Sequence, residues 1–240
     1  DSRSVRYARI AKSGTAWGVT SPTTAAANVA PHVLGYNPKI TVSGTGIYAA
    51  YFATASGVGR IEYARSLNGG TSWNPAETVA TLATNDIVSP AIAISGGKQI
   101  IVTDEQRAVT PAARLHVMWG DSVVPAQQLR TKSVALAAGS LVGVPEQALG
   151  TADNNLVAGN AVLDLHARSD KYGNIHLVYQ NDLPSLIYYR VFSSRYQYFG
   201  LDPQWGARSR ELSGTGVRLD SLAVGPRGNA VVSYTFGGIT

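Results

Sequence analysis

The sequence predicts an all-β protein made of repeated four-stranded antiparallel units, and three observations predict it. Short runs of alternating apolar and polar residues, broken by Gly, Pro and Asn turn signals, fill nearly all of the 240 residues. No stretch carries the apolar period of a helix. A unit with a recognisable ending also recurs: Tyr63-Ala64-Arg65 leads to Trp73 and Tyr7-Ala8-Arg9 leads to Trp17, each tyrosine ten residues before its tryptophan. Tyr188-Tyr189-Arg190 to Trp205 keeps the same ends with seven residues inserted, and Thr131 to Leu141 keeps the length without the aromatics.

Residues 1–20 read as a hairpin and Ser21 to Pro31 as a loop. Asn37-Pro38 opens KITVSGTGIYAAYFAT, a strand, a turn at Gly44 to Gly46, and a strand ending at Tyr51. The next hairpin is IEYARSLNGGTSWNPAETV, whose Asn68-Gly69-Gly70 supplies the positive φ angles of a tight turn. Ser89-Pro90 opens AIAISGGKQIIVTDEQ, read in the same way as strand, Gly turn and strand. After it two registers stay open: Arg114 to Trp119 is the third strand, or it is an extra strand and Gln128 to Val134 is the third. AVLDLHARSDKYGNIHLVYQ turns at Tyr172-Gly173-Asn174 and passes over Asn181-Asp182 to LIYYRVF. LDSLAVGPRGNAVVSYTF is the last pair, and its Gly228 to Tyr234 aligns without a gap on Gly173 to Tyr179.

The final unit thus has two strands and lacks two, while the chain opens with the two that are missing. Joining end to start separates Tyr234 from Tyr7 by 13 residues, against 12 from Tyr51 to Tyr63. The expected architecture is a single domain, 1–240, closed into a ring by its N-terminal strands. Its units are 32–83, 84–158, 159–213, and 214–240 with 1–22. Four units are expected, or five if residues 88–158 hold more than one. A larger ring, of which the chain is a segment or one subunit's share, is a third arrangement. Closure would also hide two sheet edges.

Composition narrows the function classes. Cysteine is absent, which removes disulfides, thiolate catalysis and cysteine-bound metals. The net charge of +5 is spread singly, mostly as arginine, so nucleic acid is not the expected partner. No apolar run reaches the length of a membrane span, and no signal segment is present. A chain opening at Asp1 reads as a mature or trimmed product, expected to work outside the cell or on a surface.

Ser66-x-Asn68-x-Gly70-x-Ser72-Trp73 resembles the Asp-box (BNR repeat) of sialidase-like β-propellers, Ser-x-Asp-x-Gly-x-Thr-Trp, with Asn68 and Ser72 as departures. The resemblance implies a β-propeller of four-stranded blades, with Ser66, Asn68, Gly70 and Trp73 structural and this turn on the rim away from the ligand face. A sialidase would need an arginine triad, an acid Asp and a Tyr–Glu nucleophile, and the family's Arg-Ile-Pro motif is absent here. Glu62 and Tyr63 are adjacent on a strand, so they face opposite ways and do not converge.

The expected function is therefore a non-catalytic binding propeller for a carbohydrate or protein partner, with oligomers allowed by the fold. Loops entering the first strand of each unit ring the central channel: Pro31 to Pro38, Thr84 to Pro90, Leu156 to Asn160 and Ser213 to Leu219. They carry His32, Tyr36, Asn37, Asn85, Asp86, Asn160 and Arg218, a polar set suited to sugar hydroxyls and holding one carboxylate. A glycosidase or lyase would instead gather Asp104, Glu105, Asp121, Asp164 or Asp182 at the channel. A structural subunit of a filament, virion or surface layer is the third class. Tyr7/Arg9, Tyr63/Arg65 and Tyr188/Arg190 share a face at period two, which fits blade-to-blade contacts and equally a repeated glycan site. Trp17, Trp73 and Trp205 fit blade-core packing, with sugar stacking as the alternative. No cofactor is implied. Asp164, His166, Asp170 and His176 cluster in sequence but fall short of an enforced metal set. Asp153-Asn154-Asn155 offers calcium oxygen ligands without EF-hand spacing.

Overall fold

The computed structural model describes residues 5–13, 16–19, 23–26, 32–55, 57–82, 88–102, 107–121, 128–149, 162–181, 186–199, 205, 209–213 and 217–236. These residues are almost entirely β-strand, in several antiparallel sheets. The chain divides into two compact units, Asp1–Ile87 and Val88–Thr240.

The first unit opens with β1 (Val5–Tyr7), β2 (Ile10–Ser13), β3 (Ala16–Val19) and β4 (Thr23–Ala26). β1 pairs with β4 and β2 with β3, so the hairpin expected over residues 1–20 is a nested pair of ladders. Tyr7 lies opposite Thr23, and Lys12 opposite Trp17. A four-stranded sheet follows in the order β5-β6-β7-β8: β5 (His32–Ser43), β6 (Gly46–Ala55), β7 (Val58–Ser66) and β8 (Glu77–Thr81). The stretch expected to enter it as a loop is already strand from His32 onward. Two irregularities interrupt its ladder with β6: Leu34/Tyr36 spans Gly35, and Tyr36/Lys39 spans Asn37-Pro38. Asn37 takes φ 53°, a left-handed conformation that its short polar side chain tolerates, and an edge strand spares Pro38 the need for a ladder N–H. Val5, Tyr51, Ala53 and Ala64 form one core cluster of this unit, with Trp73 packed against it.

The second unit begins with β9 (Ala91–Ser95), β10 (Ile100–Val102), β11 (Arg107–Val109), β12 (Arg114–Asp121), β13 (Gln128–Ala135) and β14 (Gln147–Ala148). The sheet order is β14-β13-β12-β9, and β10 pairs only with β11 among the described residues. This corrects the sequence expectation in one respect: the strand after the Gly turn is an inserted hairpin, not the second strand of the sheet. β12 fills that place, with Arg114 opposite Ser95 and Met118 opposite Ala91, and β13 is third. The reason lies at the neck. Gly96 and Gly97 both adopt φ 65°, and Gly97 N–H donates to the Pro111 carbonyl at 2.7 Å, so the chain leaves and re-enters the sheet at one point. Residues 88–158 therefore hold one four-stranded sheet and a hairpin among the described residues.

The next sheet, in order, is β15 (Val162–Ser169), β16 (Ile175–Asn181), β17 (Leu186–Phe192) and β18 (Ser209–Ser213). Between β17 and β18 the seven-residue insertion holds a short helix, α1 (Ser194–Phe199), which the sequence period did not signal. Last come β19 (Val217–Val224) and β20 (Ala230–Phe236), a two-stranded sheet among the described residues.

β16 is buried along its whole length because both of its faces are covered. Leu177 and Tyr179 point to a cluster shared with Ala91, Ala93, Met118, Leu129 and Leu149 of the preceding sheet. Val178 points the other way, to Ile187, Val217, Leu219 and Leu222. Each such aliphatic side chain stabilises by roughly 1.5–3 kcal/mol when fully buried. Polar side chains join the layers as well. Ser169 Oγ donates to the Ile94 carbonyl at 2.5 Å and accepts from Ile94 N–H at 3.2 Å. Gln180 Nε2 donates to the Val217 carbonyl at 2.6 Å, and its Oε1 accepts from Leu219 N–H at 2.7 Å, so one side-chain amide acts as a short strand between sheets.

Candidate functional site

The Asp-box-like turn is a closed hydrogen-bond circuit. Ser66 Oγ accepts from Gly70 N–H at 2.9 Å and donates to Asn68 Oδ1 at 2.9 Å. The same Oδ1 accepts from Ser72 N–H at 2.9 Å, while Asn68 Nδ2 donates to Ser72 Oγ at 2.8 Å. Gly69 and Gly70 adopt φ 70° and 89°. A Cβ on Gly70 would meet the Tyr7 ring at 2.3 Å, and that ring meets Trp73 edge-on at 5.7 Å between centroids. The turn spends its polar groups on itself, as a structural element does. Trp73 is half-buried rather than sealed in a core, whereas Trp205 is buried and bridges to Phe192. The Trp17 side chain lies outside the described residues.

The acid and imidazole groups of β15 to β17 lie on one face. Asp164 Oδ2 and His166 Nε2 are 3.0 Å apart, and Asp164 Oδ1 also accepts from Leu165 N–H. Asp170 holds its turn by accepting from the backbone N–H of Tyr172 and of Asn174, from Asn174 Nδ2, and from His176 Nε2 at 3.3 Å. Burial alone would raise the Asp170 pKa. The hydrogen bonds from His176, from Asn174 through side chain and backbone, and from Tyr172 outweigh it and hold the carboxyl below its usual value. His176 Nε2–H donates to the ionised Asp170, and in that neutral tautomer Nδ1 accepts from the Tyr189 hydroxyl at 2.6 Å. Asn174 Oδ1 in turn accepts from Ser194 N–H, tying α1 to the turn. Among the described residues no group of three His, Asp, Glu or Cys is placed to hold a metal ion. The calcium candidate Asp153-Asn154-Asn155 lies outside the described residues, as do Asp104, Glu105 and Asp182.

Two polar arrangements escaped the sequence, and a third, at Arg190, has the sheet-to-sheet form that was one of its two readings. Glu62 lies opposite Tyr51 on the neighbouring strand and takes a hydrogen bond from Thr78 Oγ1 at 2.8 Å. Burial, and then the Glu62 charge, push the Tyr51 phenol pKa up. His116 is buried with Nε2 2.8 Å from Ser95 Oγ and its ring against Phe192; burial, then the nearby Arg114, lower its pKa to about 3. Arg190 is buried and donates from Nη1 to the Leu149 carbonyl of the preceding sheet. Arg190 on β17 thus links its sheet to the preceding one. The register of β7 against β6 puts Glu62 opposite Tyr51, and the pairing of β12 with β9 brings His116 near Ser95, but both follow only once the strand pairing is known.

Of the expected ligand residues, His32, Tyr36 and Asn37 lie on β5, Asn37 exposed and the side chains of the other two outside the described residues. Arg218 is exposed on β19, opposite Thr235. Asn85, Asp86 and Asn160 lie outside the described residues. No helix among the described residues is long and apolar enough to cross a membrane. No protein-family model matches the chain, and no curated protein matches it in sequence. Fold and site together define an all-β domain of several antiparallel sheets.

Proposed function

We propose that the chain is a non-catalytic binding β-propeller of four blades, its N-terminal strands completing the blade begun by β19 and β20, and that it recognises a carbohydrate or protein partner outside the cell or on a particle surface. The observation that carries this reading is the layering of the second unit. There β15 packs beside β9 and β19, and successive sheets lie face to face, as blades stacked about an axis do. The two-stranded β1–β4 and β19–β20 sheets are the half-blades such a ring would join. The carboxylates of Glu62, Asp164, Asp170 and Asp220 each have a local structural partner, which supports binding over acid/base chemistry.

Screening a glycan array, with a hydrolysis assay on each hit, tests this. Binding without turnover is the expected result. Tyr36→Ala and Arg218→Ala should each weaken it by about 1–3 kcal/mol, through lost stacking and charge-assisted hydrogen bonds, with stability nearly unchanged. Turnover would select a sialidase-like glycoside hydrolase or lyase instead. A second reading, a structural subunit of an assembly, draws on Val231 and Phe236, which are 62% and 59% exposed on β20. Silence in both assays with self-assembly in solution would select it.

A further inference from the structure

The second unit gathers exposed cations and apolar tips at one end, where each first strand turns toward the second. Arg114 lies opposite both Ser95 and Ala135, and Ile175 opposite both Ser169 and Phe192. The excursion between β9 and β12, the loop after β13, the β15–β16 turn and α1 therefore all leave the sheets at that end. Direct contacts hold the turns together. Gly96 N–H donates to the Gly173 carbonyl at 2.9 Å, and Ser194 Oγ donates to the Tyr172 carbonyl at 2.9 Å. A Cβ on Gly228, in the β19–β20 turn, would stand 3.5 Å from Asp170 Oδ2.

Lys98, Lys171 and Arg227 are exposed at these turns, one from each of three neighbouring sheets, and none has a carboxylate partner among the described residues. Lys171 Nζ lies 4.8 Å from the centre of the Tyr172 ring, and Tyr172 is itself 43% exposed. Val142, in the loop after β13, is 69% exposed, and Tyr198 of α1 is 38% exposed. Asp170, the carboxylate of the β15–β16 turn, is buried and engaged by Tyr172, Asn174 and His176. Asp121, Asp164 and Asp220 lie toward the opposite end, where β12 stops and where β15 and β19 start. In sequence, Asp104 and Glu105 balance Lys98 and Arg107 across the β10–β11 hairpin. The unbalanced positive charge of this end thus rests on Lys171 and Arg227.

We propose that this end of the second unit docks on an anionic lipid bilayer, with Lys171 and Arg227 against headgroup phosphates, Tyr172 at headgroup level and Val142 reaching below it. The chemistry selects the occupant. Cations alone would fit any polyanion, but exposed apolar tips beside them gain burial from a bilayer and nothing from an acidic glycan chain. Tyrosine suits the boundary between membrane and water, because its ring is apolar and its hydroxyl polar. Tips contributed by separate sheets also match a laterally adaptable surface better than one shaped partner. The inference goes beyond the binding reading above: Arg218 lies at the other end of the sheets, so recognition and attachment use different ends.

Co-sedimentation of the full chain with vesicles tests it, using phosphatidylcholine alone and phosphatidylcholine with about a third of phosphatidylglycerol. Binding is expected only to the anionic vesicles, and it should weaken as added salt screens the charges. Lys171→Gln and Arg227→Gln should each weaken it about fivefold, and the double variant roughly twentyfold. Val142→Ser should weaken it roughly threefold through lost apolar burial. These side chains are exposed, so the variants should melt as wild type does. No binding to the anionic vesicles, or equal binding to the neutral ones, overturns the docking. Binding that is unchanged in the double variant or in Val142→Ser overturns it as well. Capture by soluble heparin without vesicle binding overturns it in favour of an acidic glycan, and none of these outcomes decides the glycan-array result.

Discussion

Gly70, at φ 89° with the Tyr7 ring over the place of a Cβ, is the residue where backbone and packing agree most sharply. Gly70→Val should destabilise by about 1–3 kcal/mol from backbone strain, and displacement of Tyr7 adds to it. Chemical denaturation measures this directly, and a midpoint equal to wild type would contradict the geometry. Asn68→Ala removes an oxygen that receives two hydrogen bonds and an amide that donates a third, an expected loss of about 1–3 kcal/mol. Asn68→Asp keeps the oxygen and lets the Ser72 hydroxyl turn round to donate, so it should stay within about 0.5 kcal/mol of wild type. Trp73→Ala should cost less than a full core truncation, about 2–3 kcal/mol, since the indole is half-buried. An unchanged stability with lost ligand binding would instead make Trp73 a stacking platform.

At the level of elements, β12 carries a pH dependence. His116 is neutral when folded, with a pKa near 3, against 6.5 for an exposed histidine. Between those values the unfolded chain binds more protons, so this contribution is complete above about pH 6.5 and is lost as pH falls, by roughly 1.4 kcal/mol for each unit. Thermal unfolding followed from pH 7 to 4 should show that slope, and His116→Gln should flatten it. Asp170, held below its usual pKa, adds an acid-side loss at lower pH, as the proton displaces its hydrogen bonds. The His116 feature was not legible in the sequence, because His116 and Ser95 are brought together by pairing across an 18-residue excursion between β9 and β12, whereas Asp170 and His176 already stood close in sequence. Local signals did better. The turns at Gly44, Gly69-Gly70 and Gly173 all take positive φ, as their residues require, and β16 and β17 fall where alternation placed them, while β6 runs on to Ala55, past the expected end at Tyr51, and β7 already begins at Val58. AIAISGGKQIIV misled because its glycines permit a tight turn without dictating which strand comes next, and a six-residue helix is too short to show a period. His32, Tyr36 and Asn37 sit on β5, whose path depends on bulges that pattern alone does not fix.

For the whole molecule, the closure reading makes a prediction of its own. Deleting residues 1–20 should leave the β20 edge uncovered and give insoluble or aggregated protein, whereas a soluble monomer with an unchanged melting temperature would exclude the ring. The same deletion removes Val5 and Tyr7, which pack in the first unit, so size-exclusion behaviour is the more telling measurement. The β10–β11 hairpin has a different standing. Its stem residues Ile100 and Val109 form a small cluster of their own, Ile101 is 70% exposed, and β9 and β12 pair directly beneath it. A segment whose neck is shut by the Gly97–Pro111 hydrogen bond and whose removal leaves the sheet register intact is a natural cassette. Foreign peptides grafted between Lys98 and Thr110 should be displayed with little loss of stability, since lengthening a closed surface loop costs only about 0.6 kcal/mol per doubling.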